Sequence, residues 1–346
     1  MQAAVLHSFG PTLSVEDVPR PAPKPDEVLI QVEVCGVCHS DLHVAEGDQP
    51  ALKAATKADL IPGHEVVGRV VERGANVTHL AVGDRVGVAW NHATCGACEP
   101  CLEGRENLCR RAVITGVMVD GGFADYMTAR ASHALPIPDA LSSEEAAPLF
   151  CAGLTVYRAL KNAGVGPGQR VAVFGVGGLG HLAVQIARAW GAEVIALDLD
   201  DSKLALAREL GAAQTLNAAD AGGIKALRKQ GGVHVAVVTS AAKAAYDTAF
   251  TCLRPGGTLS VVGLPAEPLT FPALSLVGIE ARVVGSSVGT RDDMRAVLAL
   301  AAEGKLRCIT ETQPLDQVNQ VFERMRRGQI TGRVVLRCCS GAHTTH

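Results

Sequence analysis

The chain has 346 residues, 48% of them hydrophobic but only 3% aromatic, so a large core must be built from Val, Leu, Ile and Ala, and there is enough chain for two domains. With 32 basic and 35 acidic residues the formal net charge is −3, which excludes the electrostatic footprint of a nucleic-acid or anionic-membrane binder. The N-terminus MQAAVLHSFG has no basic segment leading into an apolar one, and no apolar run approaches a membrane span. A soluble, cytoplasmic protein is therefore expected, without membrane or nucleic-acid partners.

From Met1 to about Arg130 the chain reads as a turn-rich β domain. Short Val-rich runs, VLIQVEV (28–34), VVGRVVE (66–72) and DRVGVAW (84–90), are punctuated by Pro and Gly. Two segments in this stretch, CGVCHSDLH (35–43) and GHE (63–65), place Cys and His close together. Singly, each of these side chains reads as an inert core thiol or a turn histidine. The run CGACEPCLEGRENLC (95–109) is different. Cys95, Cys98, Cys101 and Cys109 are spaced C-x2-C-x2-C-x7-C, which lets one loop wrap four thiolates around a tetrahedral ion. In a reducing compartment such clusters hold metal more often than they form disulfides. A closed thiolate set leaves no open position for substrate, so the loop reads as structural zinc, with an iron–sulfur cluster as the alternative. The loop alone would also suit a zinc-ribbon nucleic-acid binder, but Glu99, Glu103 and Glu106 beside Arg105, Arg110 and Arg111 make no basic patch.

After Pro148 strands alternate with amphipathic helices. RVAVFG, EVIALD, QTLNA, HVAVVTS, GGTLSVVGL and ARVVGSS read as six buried strands of a doubly wound parallel sheet. Between Leu179 and Trp190 apolar residues recur at helical spacing, which predicts a helix with one face on the sheet. Gly175, Gly177 and Gly180 form G-x-G-x-x-G between a strand and that helix, a pattern that packing alone can also produce. Its context favours a dinucleotide, because Asp198 closes the next strand. The glycines would admit a pyrophosphate to the helix N-terminus, and Asp198 would accept from the ribose hydroxyls and repel a 2′-phosphate, so NAD is expected rather than NADP. RDDMRAVLALAAEG then reads as a helix, GRVVLRC as a last strand and the tail SGAHTTH as disordered.

The order CGVCHSDLH, GHE, four-cysteine loop, isolated Cys151 and GVGGLG resembles the zinc-dependent alcohol dehydrogenases of the medium-chain dehydrogenase/reductase family, in particular a microbial tetrameric branch that also ends in a stretch like GQITGRVV. The resemblance implies a Rossmann domain over 153–287 and a GroES-like, β-rich catalytic domain with a structural zinc lobe over 1–152 and 288–346. It implies two zinc ions per chain, with the catalytic one on Cys38, His64 and Cys151. Zinc would act there as a Lewis acid toward a small alcohol, whose hydride leaves to nicotinamide. Ser40 would take the alcohol proton and His43 deliver it to solvent, Asp41 would orient His64, and Glu65 would lie close to the metal. His39, Gly178, Leu179, Val262, Lys203 and Arg333 are carried over as cofactor contacts, Arg333 with surface charge as its competing reading. A homo-oligomer is implied, tetramer ahead of dimer.

Two features depart from that branch. Gln49 stands where a Trp often narrows the alcohol pocket, and ALKAATKADL looks longer, so the resemblance implies primary alcohols with secondary or aromatic ones also open. Trp90 resembles a pocket-lining aromatic. A cinnamyl-type or polyol dehydrogenase would share most motifs, but Cys151 and Asp198 argue against both. A zinc-free quinone reductase leaves Cys38, His64 and Cys151 unexplained.

Overall fold

The computed structural model describes residues 1–338, so the expected disorder of SGAHTTH lies outside the described residues. Two compact units are present. One comprises Met1–Cys151, Thr290–Ala302 and the segment from Cys308 onward, and the other Ala152–Gly289 with Glu303–Arg307. The division at Cys151 and Ala152 falls one residue before the expected boundary. The residues 303–307, assigned to the catalytic domain from sequence, belong to the other unit instead. The physical reason is Gln185, whose amide donates to the Arg307 carbonyl at 2.9 Å and accepts from the Arg307 N–H at 2.9 Å.

In the first unit a mixed sheet runs Thr310–Pro314, Arg333–Arg337, Glu27–Gly36, Glu65–Arg73, Arg85–Val88, Ala134–Pro136, and Tyr126–Arg130 also pairs with Glu27–Gly36. The Val-rich runs sit inside these strands because β-branched side chains suit a pleated, buried surface. Its core is aliphatic, with Phe123 and Phe322 as its large members. The segment that follows Glu27–Gly36 turns into the helix His39–Glu46, with Cys38 as N-cap. The loop at ALKAATKADL is a helix, Pro50–Ala55, with Pro at its start where a missing N–H costs nothing.

In the second unit six parallel strands lie in the order Gln214–Asn217, Glu193–Asp198, Arg170–Phe174, Val233–Val238, Leu253–Val261, Arg282–Gly285. Numbered along the chain this is 3-2-1-4-5-6, the doubly wound dinucleotide-binding order expected from the alternation. The helix Gly180–Ala189 is buried over more than the single predicted face, because it packs against helix Ala152–Asn162 as well as the sheet. Among the described residues no helix is long and apolar enough to cross a membrane.

Gly87 illustrates how the fold places a functional residue. A Cβ there would collide with the ring of Phe150, which is fully buried and directly precedes Cys151. Gly87→Ala should therefore push the ring aside and destabilise the first unit by about 1–3 kcal/mol. Phe150→Leu in the same chain should recover part of that loss. Urea melts of the two single variants and the double variant check this, and strictly additive midpoints would mean that the ring is not the obstacle.

Candidate active site and metal centres

Four side chains from three segments converge in the first unit. Cys38, His64, Glu65 and Cys151 are all buried, and one ligand atom from each lies within 4.8 Å of the others. The two sulfurs are 3.9 Å apart. That matches the edge of about 3.8 Å that zinc–sulfur bonds of about 2.3 Å give in a tetrahedron.

Local backbone chemistry explains the placement. Asp41, at the third position of the helix capped by Cys38, accepts from the Cys38 N–H at 2.8 Å in a capping box. The same carboxylate accepts from the Gly63 N–H at 3.2 Å and from Nδ1 of His64 at 2.9 Å. Gly63 has φ +98°, and a Cβ there would crowd Phe123 and Cys35, so glycine is required. Because Asp41 can only accept, the His64 proton sits on Nδ1 and Nε2 is turned into the cluster, buried and unpaired. Glu65 pairs in register with Gly36, whose missing side chain is what makes room for its carboxylate. One Glu65 oxygen is ion-paired with Arg333, and the other is buried and unpaired.

The electrostatics follow from this arrangement. The hydrogen bond to Cys151 holds Cys38 well below the usual thiol range despite burial, with His64 helping. Cys151, sharing that hydrogen bond and buried, is pushed well above it. Burial lowers His64, but Asp41 and Cys38 outweigh it and raise the imidazole well above its ordinary value. Burial lifts Glu65 to about 7 against the pull of Arg333. Two thiols and two buried orphan acceptors, Nε2 of the tautomer-fixed His64 and the free oxygen of Glu65, form a donor set that exchanges protons for a cation, and its composition fits zinc.

The second cluster is the cysteine loop. Cys95, Cys98, Cys101 and Cys109 offer sulfurs within 4.8 Å of one another. Cys95 and Cys101 are 3.9 Å apart, Cys98 and Cys101 3.5 Å. Backbone N–H groups donate to two sulfurs, Cys98 to Cys95 and Cys95 to Cys109, each at 3.4 Å. Such donation, from Ala97 and Cys98, lowers Cys95 to about 5, while desolvation and the neighbouring thiols raise Cys101 to about 12. This set also fits a tetrahedral thiophilic ion.

Around the first cluster, Ser40 Oγ is 3.7 Å from Cys38 Sγ. His43, one turn further along the same helix, is 30% exposed and reaches Asp48 at 2.9 Å through Nδ1. Trp90 meets the His64 ring edge to face at 4.8 Å between centroids. Gln49 is half-buried at the N-cap of Pro50–Ala55. His39 is exposed. Arg333 is the one site residue whose surroundings overturn a sequence reading, since it is 4% exposed and paired with Glu65, which removes the surface-charge alternative. Its Nε is buried and unpaired. Sequence reasoning did not find Gly36 or Gly87, whose roles depend on residues distant in the chain, Glu65 on the neighbouring strand and Phe150 in a turn, that no local pattern announces.

In the second unit the glycine motif lies between Arg170–Phe174 and Gly180–Ala189, with Gly178 and Leu179 half-buried at the turn. The three glycines have different reasons. Gly175 has φ +89°. A Cβ on Gly180 would collide with the Gly175 carbonyl, so that contact sets the close packing of helix on strand. A Cβ on Gly177 would meet nothing within 4 Å, an open cradle of the kind a phosphate requires. Asp198 accepts from the N–H groups of Val176 at 2.7 Å and Asp200 at 3.0 Å, which fixes its carboxylate beside the motif. Val262 directly follows the strand Leu253–Val261, and Lys203 is half-buried on Asp201–Glu209.

Comparison with known proteins agrees with these features. Residues 24–139 match the Alcohol dehydrogenase GroES-like domain and residues 178–303 the Zinc-binding dehydrogenase domain. An alcohol dehydrogenase of Geobacillus stearothermophilus is 49% identical over 97% of this chain and 99% of its own. The crystal structure of the alcohol dehydrogenase from Aeropyrum pernix superposes with a TM-score of 0.90 at 36% identity, over 97% of this chain and 100% of that one. Acetophenone reductase from Geotrichum candidum, solved in complex with NAD, gives 0.86 at 32% identity over 97% and 96%. With both domains and both cysteine sets in the family's order, this chain belongs to the zinc-dependent alcohol dehydrogenases of the medium-chain dehydrogenase/reductase family.

Proposed function

We propose that this alcohol dehydrogenase works with NAD and with two zinc ions per chain, oxidising primary alcohols and also accepting secondary or aromatic ones. The observation that carries the reading is the buried Cys38, His64 and Cys151 set, whose imidazole tautomer is fixed by Asp41. Zinc bound there would supply Lewis acidity to the alcohol oxygen, and NAD would supply the hydride acceptor. Cys38 and Cys151 as thiolates and a neutral His64 would hold the ion and cancel its charge. Ser40 Oγ, beside Cys38, takes the alcohol proton, and half-exposed His43 passes it to solvent with Asp48 as its partner. Glu65 holds Arg333, whose spare buried Nε suits an anionic group of the cofactor, and His39 supplies a second contact for the pyrophosphate. Gly175, Gly177, Gly178, Leu179 and Gly180 form the pyrophosphate cradle, with Asp198 on the ribose and Lys203 and Val262 along the cofactor. The NAD held by the Geotrichum candidum enzyme supports the cofactor, and its being an acetophenone reductase supports secondary and aromatic substrates. Gln49 in place of a bulkier residue is in keeping with a wider pocket.

We further propose a homo-oligomer, a tetramer ahead of a dimer, in the cytoplasm. In the second unit the edge strand Arg282–Gly285 pairs on one side only, and Leu274 (84% exposed) and Val277 (76%) lie just before it. Such an edge invites a second copy. The direct test of function is turnover of primary, secondary and aromatic alcohols with NAD, followed by NADH absorbance, and inactivity across that panel would overturn it.

The two metals should be separable. Cys38→Ser is expected to abolish turnover with the fold largely intact, whereas Cys98→Ser should lower stability, because structural zinc contributes folding free energy. Metal analysis alongside activity checks this, and fully active enzyme with a single zinc would contradict it.

Cofactor choice should rest on Asp198. Its replacement by Gly removes the repulsion of a 2′-phosphate and should narrow the NAD to NADP ratio in kcat/KM by tenfold or more, about 1.4 kcal/mol. An unchanged ratio would assign the preference to another residue.

A further inference from the structure

A half-buried ion pair joins the cysteine loop to the element that packs on the Cys151 turn. Glu106 opens the short 3-10 helix Glu106–Leu108, between Cys101 and Cys109. It is buried, and its Oε1 accepts from the Arg291 backbone N–H at 3.0 Å and from Arg291 Nε at 3.2 Å. Arg291 begins the helix Arg291–Ala302. The first N–H groups of a helix have no partner within it, so Glu106 caps this one from 185 residues away, at the end where the dipole favours an anion. Thr290 and Asp293, both buried, add a reciprocal pair of 3.1 Å hydrogen bonds at the same end. The Arg291 guanidinium also donates to the Ser132 carbonyl at 3.0 Å. The helix buries Met294, Val297 and Leu298 and packs on the turn Ala147–Phe150. Cys151 follows at once, its N–H returning to the Pro148 carbonyl at 3.3 Å.

We propose that Glu106 is a positioning residue through which the loaded cysteine loop holds the turn that presents Cys151, so that the structural metal supports retention of the catalytic one. The proposal rests on the two-zinc reading above. Loss of the carboxylate orphans the Arg291 N–H and leaves the guanidinium with the Ser132 carbonyl. The helix start then frays, and the Cys151 turn loses the support on one side. The ligands themselves are untouched, so the effect is expected on metal retention and not on substrate affinity.

The experiment is zinc release from the intact, fully loaded enzyme into a chromogenic chelator, for wild type, Cys38→Ser, Glu106→Gln and Glu106→Ala. The phase missing in Cys38→Ser identifies the catalytic ion. In Glu106→Ala that phase should quicken roughly tenfold, the low end of what losing an outer partner of a metal ligand costs, while the four-cysteine phase keeps its wild-type rate. Glu106→Gln keeps an acceptor for the N–H but loses the charge, and should fall between. Added zinc should restore kcat with the KM for alcohol unchanged, which general unfolding would not allow. If Glu106→Ala does not fold, the Gln variant decides alone. An unchanged catalytic phase, or faster loss of the four-cysteine ion instead, overturns the proposal. Failure of the two-zinc reading looks different, because wild type itself would then release one ion, or Cys38→Ser would lose no phase.

Discussion

The carboxylate of Asp41 holds the catalytic centre together. It is 1% exposed and accepts from the N–H of Cys38, the N–H of Gly63 and Nδ1 of His64. These bonds tie together two segments 22 residues apart, one leaving a strand as a helix, the other entering a strand from a left-handed glycine. Charge-assisted hydrogen bonds of this kind are worth about 1.5–3 kcal/mol each, which offsets the burial of the carboxylate. Everything the site does chemically follows from that anchor, because it sets the distance between Cys38 and His64 and decides which imidazole nitrogen faces inward.

Charge balance explains why such a polar cluster is tolerated in a core made of Val, Ala and Leu. With both carboxylates and both thiols ionised, Asp41, Glu65, Cys38 and Cys151 carry four negative charges against one positive charge on Arg333. The titration directions relieve the excess, because Cys151, His64 and Glu65 all hold their protons more tightly than usual. A divalent cation that displaces two protons leaves the total charge unchanged. The cluster thus exchanges protons for metal at little electrostatic cost, and the ion–pair partners Glu65 and Arg333 stay in place throughout.

How much of this could be read in advance depended on how local the encoding was. The cysteine loop was legible because all four ligands fall within fifteen residues at spacings that themselves describe a tetrahedral site. The sheet order was foreshadowed by six strands alternating with helices, and the glycine motif by its position between a strand and a helix. Cys38, His64 and Cys151 are far apart in the chain and singly unremarkable in type, so they were legible only through the family resemblance. Helix Ala221–Lys229 was missed, its two glycines masking the pattern, as was Val318–Arg326. The Glu65 to Arg333 and Glu106 to Arg291 pairs span 268 and 185 residues, and such pairings depend on the folded backbone and have no local signature.

The same distinction between local and distant encoding separates the two candidate metal sites. The cysteine loop supplies its own ligands and its own N–H donors to sulfur, and Cys95, Cys98 and Cys101 remain partly exposed, so it needs little of the surrounding sheet to bind an ion. The catalytic set is fully buried, and its members arrive from the end of one strand, the start of the next and a distant turn, so it exists only when the first unit is folded. A site assembled this way can be tuned by distant packing. Gly87 admits the Phe150 ring beside Cys151, and Gly36 admits the Glu65 carboxylate, each by lacking a side chain. On the proposed reading, binding chemistry that must respond to a substrate is placed where many elements meet, while binding that only has to hold is confined to a single loop.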